Sequence, residues 1–114
     1  MRLTSTIFVS AHIRRCFSEG AHALVMRRGE ADAGAIFLMV DRLDGTVDLY
    51  GPAPQTAFDE ERPATRLFNL TKERCSPAAA DSSLDQEARF DPDIWVLVVE
   101  DKAGRSFLDL TTEP

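Results

Sequence analysis

The sequence holds only two cysteines, Cys16 and Cys75, and they form no CxxC pair. That scarcity excludes a disulfide framework, and two isolated cysteines in a normally composed chain read as the reduced thiols of a cytoplasmic protein. Long hydrophobic runs are missing as well. The apolar stretch after Thr6 is cut by Ser10, His12, Arg14 and Arg15, and no run approaches the roughly 18 apolar residues of a membrane span. No small-residue cleavage site follows it, so neither a signal peptide nor membrane insertion is expected. Internal repeats and low-complexity tracts are also missing.

An excess of basic charge is the next absence. The formal net charge is −6. Residues 1–51 balance six arginines against six acids, whereas residues 52–114 set seven bases against thirteen acids. An acidic protein is repelled on average by phosphate backbones, which disfavours broad nucleic-acid binding.

What remains is ordinary globular material. The chain has 114 residues, 44% hydrophobic and 28% charged, which fits a single domain over 1–114 able to bury a core without metal or disulfide staples.

Thr4, Ser5 and Thr6 are candidate N-caps, and Val9, Ile13, Cys16 and Phe17 share one helical face. Gly20 supplies the stop, so a helix is expected from about Ser5 to Glu19. His22 to Arg28 and Ala35 to Asp41 read as strands around the polar turn Gly29–Gly34. Leu43-Asp44-Gly45 makes a tight turn into a strand over Thr46 to Tyr50. These three strands predict an antiparallel meander, ended by Gly51-Pro52-Ala53-Pro54. Thr56 to Ala64 reads as loop or a helical turn, and Arg66 to Thr71 as a fourth strand. Cys75 to Ala80 looks like a mobile connector. Asp81, Ser82 or Ser83 would then cap a short helix carrying Leu84, Ala88 and Phe90, stopped by Asp91-Pro92-Asp93. Ile94 to Val99 is apolar on both faces, as a central strand should be. Phe107, Leu108 and Leu110 suggest a short last strand. The fold class expected is α+β: an N-terminal helix, an antiparallel meander of three to five strands, and one short helix before a central C-terminal strand. The helices would share one face of the sheet in a two-layer α/β sandwich.

Several groups invite a chemical reading. Gly29-x-x-x-x-Gly34 has phosphate-loop spacing, but Ala35 and Ile36 stand where Lys and Ser/Thr belong, so a plain turn is favoured. His12 and Cys16 lie four apart on the first helix and with His22 suggest a soft-metal site, yet the spacing matches no zinc pattern and a core role for Cys16 is favoured. A Cys16 nucleophile beside Arg14 and Arg15 lacks any recognisable oxyanion loop. Asp91, Asp93, Glu100 and Asp101 crowd the ends of the central strand, where capping is the commoner role for acids. The ligand-binding candidates are Arg14, Arg15, Arg27 and Arg28, expected to share one edge of the fold and to suit an anionic partner. Their simpler reading is pairing with Glu19, Glu30 or Asp32 and with a helix terminus.

Read whole, the chain resembles a family of short alphaproteobacterial proteins, domain of unknown function 1491. The resemblance rests on Val9-Ser10-Ala11 with Arg14-Arg15, Arg28-Gly29 with Ala33-Gly34-Ala35, and Arg42-Leu43-Asp44-Gly45. It continues through Leu49-Tyr50-Gly51-Pro52-Ala53-Pro54 and Arg89-Phe90-Asp91-Pro92-Asp93-Ile94-Trp95. It spans about Leu3 to Asp109 and implies a bacterial cytoplasmic setting, with no activity, ligand or catalytic residue attached.

The sequence favours a non-enzymatic interaction domain, with a homodimer as one form, because Phe37, Met39, Tyr50 and Trp95 offer apolar faces that two modest helices leave uncovered. The alternative is a small anionic-ligand or nucleotide-binding module using the four arginines. No cofactor or catalytic residue is called for.

Overall fold

The computed structural model describes residues 3–54 and 66–111, so the reading of Thr56 to Ala64 lies outside the described residues. The elements run α1 (Ser5–Ser18), β1 (His22–Arg27), β2 (Ile36–Asp41), β3 (Val47–Pro52), β4 (Phe68–Cys75), α2 (Pro77–Phe90) and β5 (Trp95–Glu100). The expected α+β class and element order hold.

Local signals fix α1 at both ends. The Thr4 hydroxyl accepts from the amide of Ile7 at 3.3 Å, satisfying a first-turn donor that the helix itself cannot. At the other end Gly20 takes φ +87°, Ala21 N donates to Cys16 O, and Gly20 N donates to Phe17 O. Those paired bonds make a Schellman stop, whose left-handed residue favours glycine. The buried stripe is Ser5, Val9, His12 and Cys16. The expected stripe is thus rotated: Phe17 points outward and packs edge-on against the ring of His22, and His12 takes the inner place.

The strands form one five-stranded sheet in the order β1-β5-β2-β3-β4. The antiparallel meander exists, but it is β2-β3-β4. β5 inserts between β1 and β2, antiparallel to the first and parallel to the second. Its two-faced apolar run explains the position, because an inner strand covered on both sides has no wet face.

The two-layer expectation is corrected by the core. Ile36, Leu38, Val40, Leu97 and Val99 pack with Val9 and Cys16 of α1. Alternate residues of the same strands turn the other way: Val96 packs with Leu84, and Met39 with Ala80, both on α2. One helix therefore lies on each face, giving three layers, because β2 and β5 alternate apolar residues to both sides. Beyond β5, Phe107 and Leu108 pack on the α1-side core. There is no last strand at this place; a single parallel bridge joins Leu110 to Phe68.

Three further boundaries differ. Pro52 stays in β3, opposite Phe68. β4 runs on to Cys75, and no mobile connector follows it. Ser76 caps α2 instead of Asp81, Ser82 or Ser83, its hydroxyl accepting from Ala79 N at 3.1 Å, with Pro77 opening the first turn.

Candidate interaction surface

The four candidate arginines are not drawn together. Arg14 and Arg15 lie exposed toward the C-terminal end of α1. After the Gly20 turn β1 runs back along the helix, and the loop beyond it reaches the start of α1, where Ser5 N and Thr6 N donate to Asp32 O and Ala31 O. Nine helical residues at about 1.5 Å each separate Ser5 from Arg14. Arg27 donates to the carbonyl of Pro92 at 2.9 Å, and the Arg28 guanidinium lies 5.4 Å over the Trp95 ring.

The Gly29–Gly34 loop is a packed turn. Its amides at Asp32 and Ala33 are taken by the Glu30 carboxylate at 2.7 and 2.9 Å. Those two backbone bonds hold the Glu30 carboxyl below the usual carboxylate range. A phosphate would find its donors occupied. Both glycines are needed for closeness, since a Cβ on either would strike the Asp93 carbonyl. Trp95 Nε1 donates to Glu30 O at 2.8 Å, and Ser5 Oγ donates to Gly34 O at 2.6 Å, so the loop clamps α1 to the start of β5.

The other candidates resolve as structural groups. Burial pushes the Cys16 thiol up against the opposing pull of Arg15, away from the thiolate a nucleophile or ligand requires. His12 is buried against Phe8, with ring centroids 5.7 Å apart, whereas His22 is exposed and pairs with Glu100 at 3.2 Å. Asp91 accepts from Asp93 N at 3.0 Å, and Asp101 binds Arg105 through both carboxylate oxygens. Among the described residues no three His, Cys, Asp or Glu side chains gather as a metal site would need.

A cleft of about 380 Å³ opens between the start of α1 and the β3–β4 pair, floored by Ile36, Ala53 and Phe68. Its polar groups hold the fold together: Thr4 caps α1, and Arg66 donates to Leu3 O at 2.9 Å and Ser5 Oγ at 3.2 Å.

A surface feature with no structural occupation lies on the α2 side of the sheet. α2 packs over β3 and β4. At the other end of that face stands β1, whose Leu24 pairs in register with Val98. Because Val98 packs toward Ala80 and Met39, Leu24 points to the α2 side too. Leu24 is 43% exposed and Met26, beside the register shift, is 49% exposed. The shelf is bounded by His22 with Glu100 at one end and by Arg27 at the other. Phe37, Met39, Tyr50 and Trp95, expected to supply open apolar surface, are instead buried or half-buried. The sequence of His22–Arg27, apolar from Ala23 through Met26, holds no alternation that singles out Leu24. Its exposure follows from β1 being an edge strand, which periodicity does not reveal.

Fold and surface together define a small open-sheet α+β domain, one helix on each face, with Leu24 and Met26 exposed on the edge strand β1. The chain belongs to the DUF1491 family, proteins of unknown function, whose model matches residues 3–109. It is 36% identical to a DUF1491 protein from Caulobacter crescentus known from a crystal structure, with a TM-score of 0.79, covering 98% of this chain and 100% of that one. A protein from A. tumefaciens with a solution structure is 41% identical, with a TM-score of 0.86, covering 100% of this chain and 98% of that one. Among curated proteins no relative matches it. No helix among the described residues is long and apolar enough to cross a membrane.

Proposed function

We propose that the protein is a small non-enzymatic interaction domain of the bacterial cytoplasm, docking another protein chain on the open β1–β5 shelf. The carrying observation is Leu24, 43% exposed and paired in register with Val98, with Met26, 49% exposed, beside it at the register shift. Apolar side chains grouped on a sheet face gain by being covered, whereas scattered ones are ordinary surface. The cytoplasmic setting draws support from Cys16 and Cys75, which are free and belong to cores on opposite sides of the sheet. The anionic-ligand alternative draws less support, because Arg27 and Arg28 serve Pro92 and Trp95 while Arg14 and Arg15 sit further along α1.

The test compares tagged wild type with Leu24→Asp and with the paired change Arg14→Ala and Arg15→Ala, each recovered from the source cells at native expression. Loss of a stoichiometric protein partner in Leu24→Asp alone supports the reading. A partner that survives Leu24→Asp overturns it, and an anionic metabolite lost with the arginines restores the alternative.

A further inference from the structure

We propose that residues 106–111, beyond β5, form a strap that opens as a unit while helices and sheet stay folded, and that acid favours the opening because His12 then takes up a proton. The strap lies on the α1 side of the sheet, so the inference is independent of Leu24. Its root is fixed: the buried Asp101 carboxylate accepts from the Arg105 amide at 2.8 Å and from Nε and Nη2 of the same residue. Beyond Arg105 the chain passes Tyr50 of β3 and reaches β4 without joining a ladder. Phe107 and Leu108 are half-buried on the α1-side core. Phe68 N donates to Asp109 O and Thr111 N to Phe68 O, both at 3.0 Å.

Two features make the strap a weak cover. Phe107 stands at φ +62°, a backbone conformation that phenylalanine adopts reluctantly and that opening relaxes. Asp109 and Leu110 are exposed, so this part of the strap has little burial to lose. β5, by contrast, is paired on both sides, with β1 and with β2. A segment with few buried apolar contacts opens more readily than a doubly paired strand. Its opening uncovers the buried rings of His12, Tyr50 and Phe68.

His12 couples the strap to acid. Its ring is stacked on Phe8 and its Nε2 meets the Ser106 carbonyl at 2.9 Å. Burial above all disfavours the charged ring, and Arg15 of α1 adds to that, against the pull of the Ser106 carbonyl and of Asp109 on the strap. Arg66 adds another cation nearby, 5.5 Å over the Phe8 ring. Cys16 of α1 and Tyr50 of β3 stay neutral in acid, since burial pushes both upward. A protonated His12 is therefore better placed in water than under the strap. The closed ring titrates below 6.5 and the uncovered ring near that value, so opening becomes easier as pH falls through 6.5.

Native-state hydrogen exchange of the full chain, followed by NMR in low urea and corrected for the intrinsic pH dependence of exchange, tests the strap. The amides of Phe68, Leu108 and Thr111 report its opening, and those of β5 report the core. Strap protection should lie about a hundredfold below that of β5 and be indifferent to urea, the mark of a local opening. In wild type it should fall by up to about tenfold at one pH unit below 6.5, and in His12→Gln it should stay level. Strap and β5 amides that exchange together, with one urea dependence, overturn the separate opening. Strap protection that stays level in wild type while β5 protection falls places the proton uptake at global unfolding and overturns the coupling to acid. An equal fall in His12→Gln overturns the role of His12. The wild-type comparison of strap with β5 decides the first two points even where His12→Gln is too unstable to measure.

Discussion

His12 donates its Nε2–H to the carbonyl of Ser106 at 2.9 Å, across 94 residues of sequence. This bond fastens α1 to the segment after β5, whose Phe107 and Leu108 pack on the same core. The carbonyl can only accept, so the neutral ring must carry its proton on Nε2.

A pH dependence of stability follows. Burial holds the His12 pKa below 6.5, outweighing the upward pull of the Ser106 carbonyl and Asp109, while Arg15 pushes it further down. The unfolded chain therefore binds this proton more readily than the folded chain. Stability is full above pH 6.5 and falls as pH drops toward the lowered folded value, below which the loss is complete. Urea unfolding across mildly acidic to neutral pH measures that slope, and His12→Gln should flatten it. An equal slope in the variant would show that another group titrates.

Asp48 carries a second prediction. Its carboxylate is 1% exposed, accepts from Arg42 Nε at 2.8 Å and from the amide of Arg74 at 2.8 Å, and lies 2.7 Å from Arg42 Nη2. Arg74 takes φ +50° to present that amide, a conformation L residues adopt reluctantly. Asp48→Ala leaves a strained backbone donor with no acceptor and should cost about 2–3 kcal/mol. The denaturant midpoint should fall with the m-value unchanged. A midpoint within error of wild type would mean water takes the place of the carboxylate.

Signals confined to neighbouring residues were legible in the sequence. Thr4 and Gly20 bound α1, and the two-faced run ending at Val99 marks an inner strand. What the sequence hid is non-local. Nothing near β1 or β2 announces that β5 will insert between them, because strand order is decided by contacts made far along the chain. The same blindness hid the shelf, since Leu24 is exposed only because β1 has no outer neighbour. The rotation of α1 turns on Ser106, whose carbonyl gives a buried histidine somewhere to donate. The arginine cluster failed for a geometric reason: a helix–turn–strand unit doubles back, sending Arg27 away from Arg14 as the chain advances.

The start of α2 is the clearest misread local signal, and it makes a prediction of its own. Ser76-Pro77 is a cap followed by a proline in the first turn, but the alanines after it lack periodicity and so resembled a connector. Ser76→Ala should cost about 1 kcal/mol by stranding the Ala79 amide, as N-cap losses do. Ser82→Ala, already inside the helix and exposed, should change stability by less than about 0.5 kcal/mol. Equal costs at the two positions would move the cap back to the later site.

Gly29 tests the clamp between α1 and β5. A Cβ at this position would meet the Asp93 carbonyl, the Ile94 backbone and Trp95 Cδ1, the last at 2.6 Å. Two of those neighbours are backbone and cannot rotate aside, and the indole is pinned by its bond to Glu30 O. Gly29→Ala therefore has to push the loop off β5, at a cost of about 2–3 kcal/mol typical of overpacking. The single tryptophan reports the event directly: displacing the loop wets the indole and should shift its emission to longer wavelength in the folded protein. Unfolding monitored by that emission should show a lowered Tm together with the shifted native baseline. A destabilised variant with unshifted emission would place the strain elsewhere than at the indole, and a fully stable variant would mean the loop yields without cost.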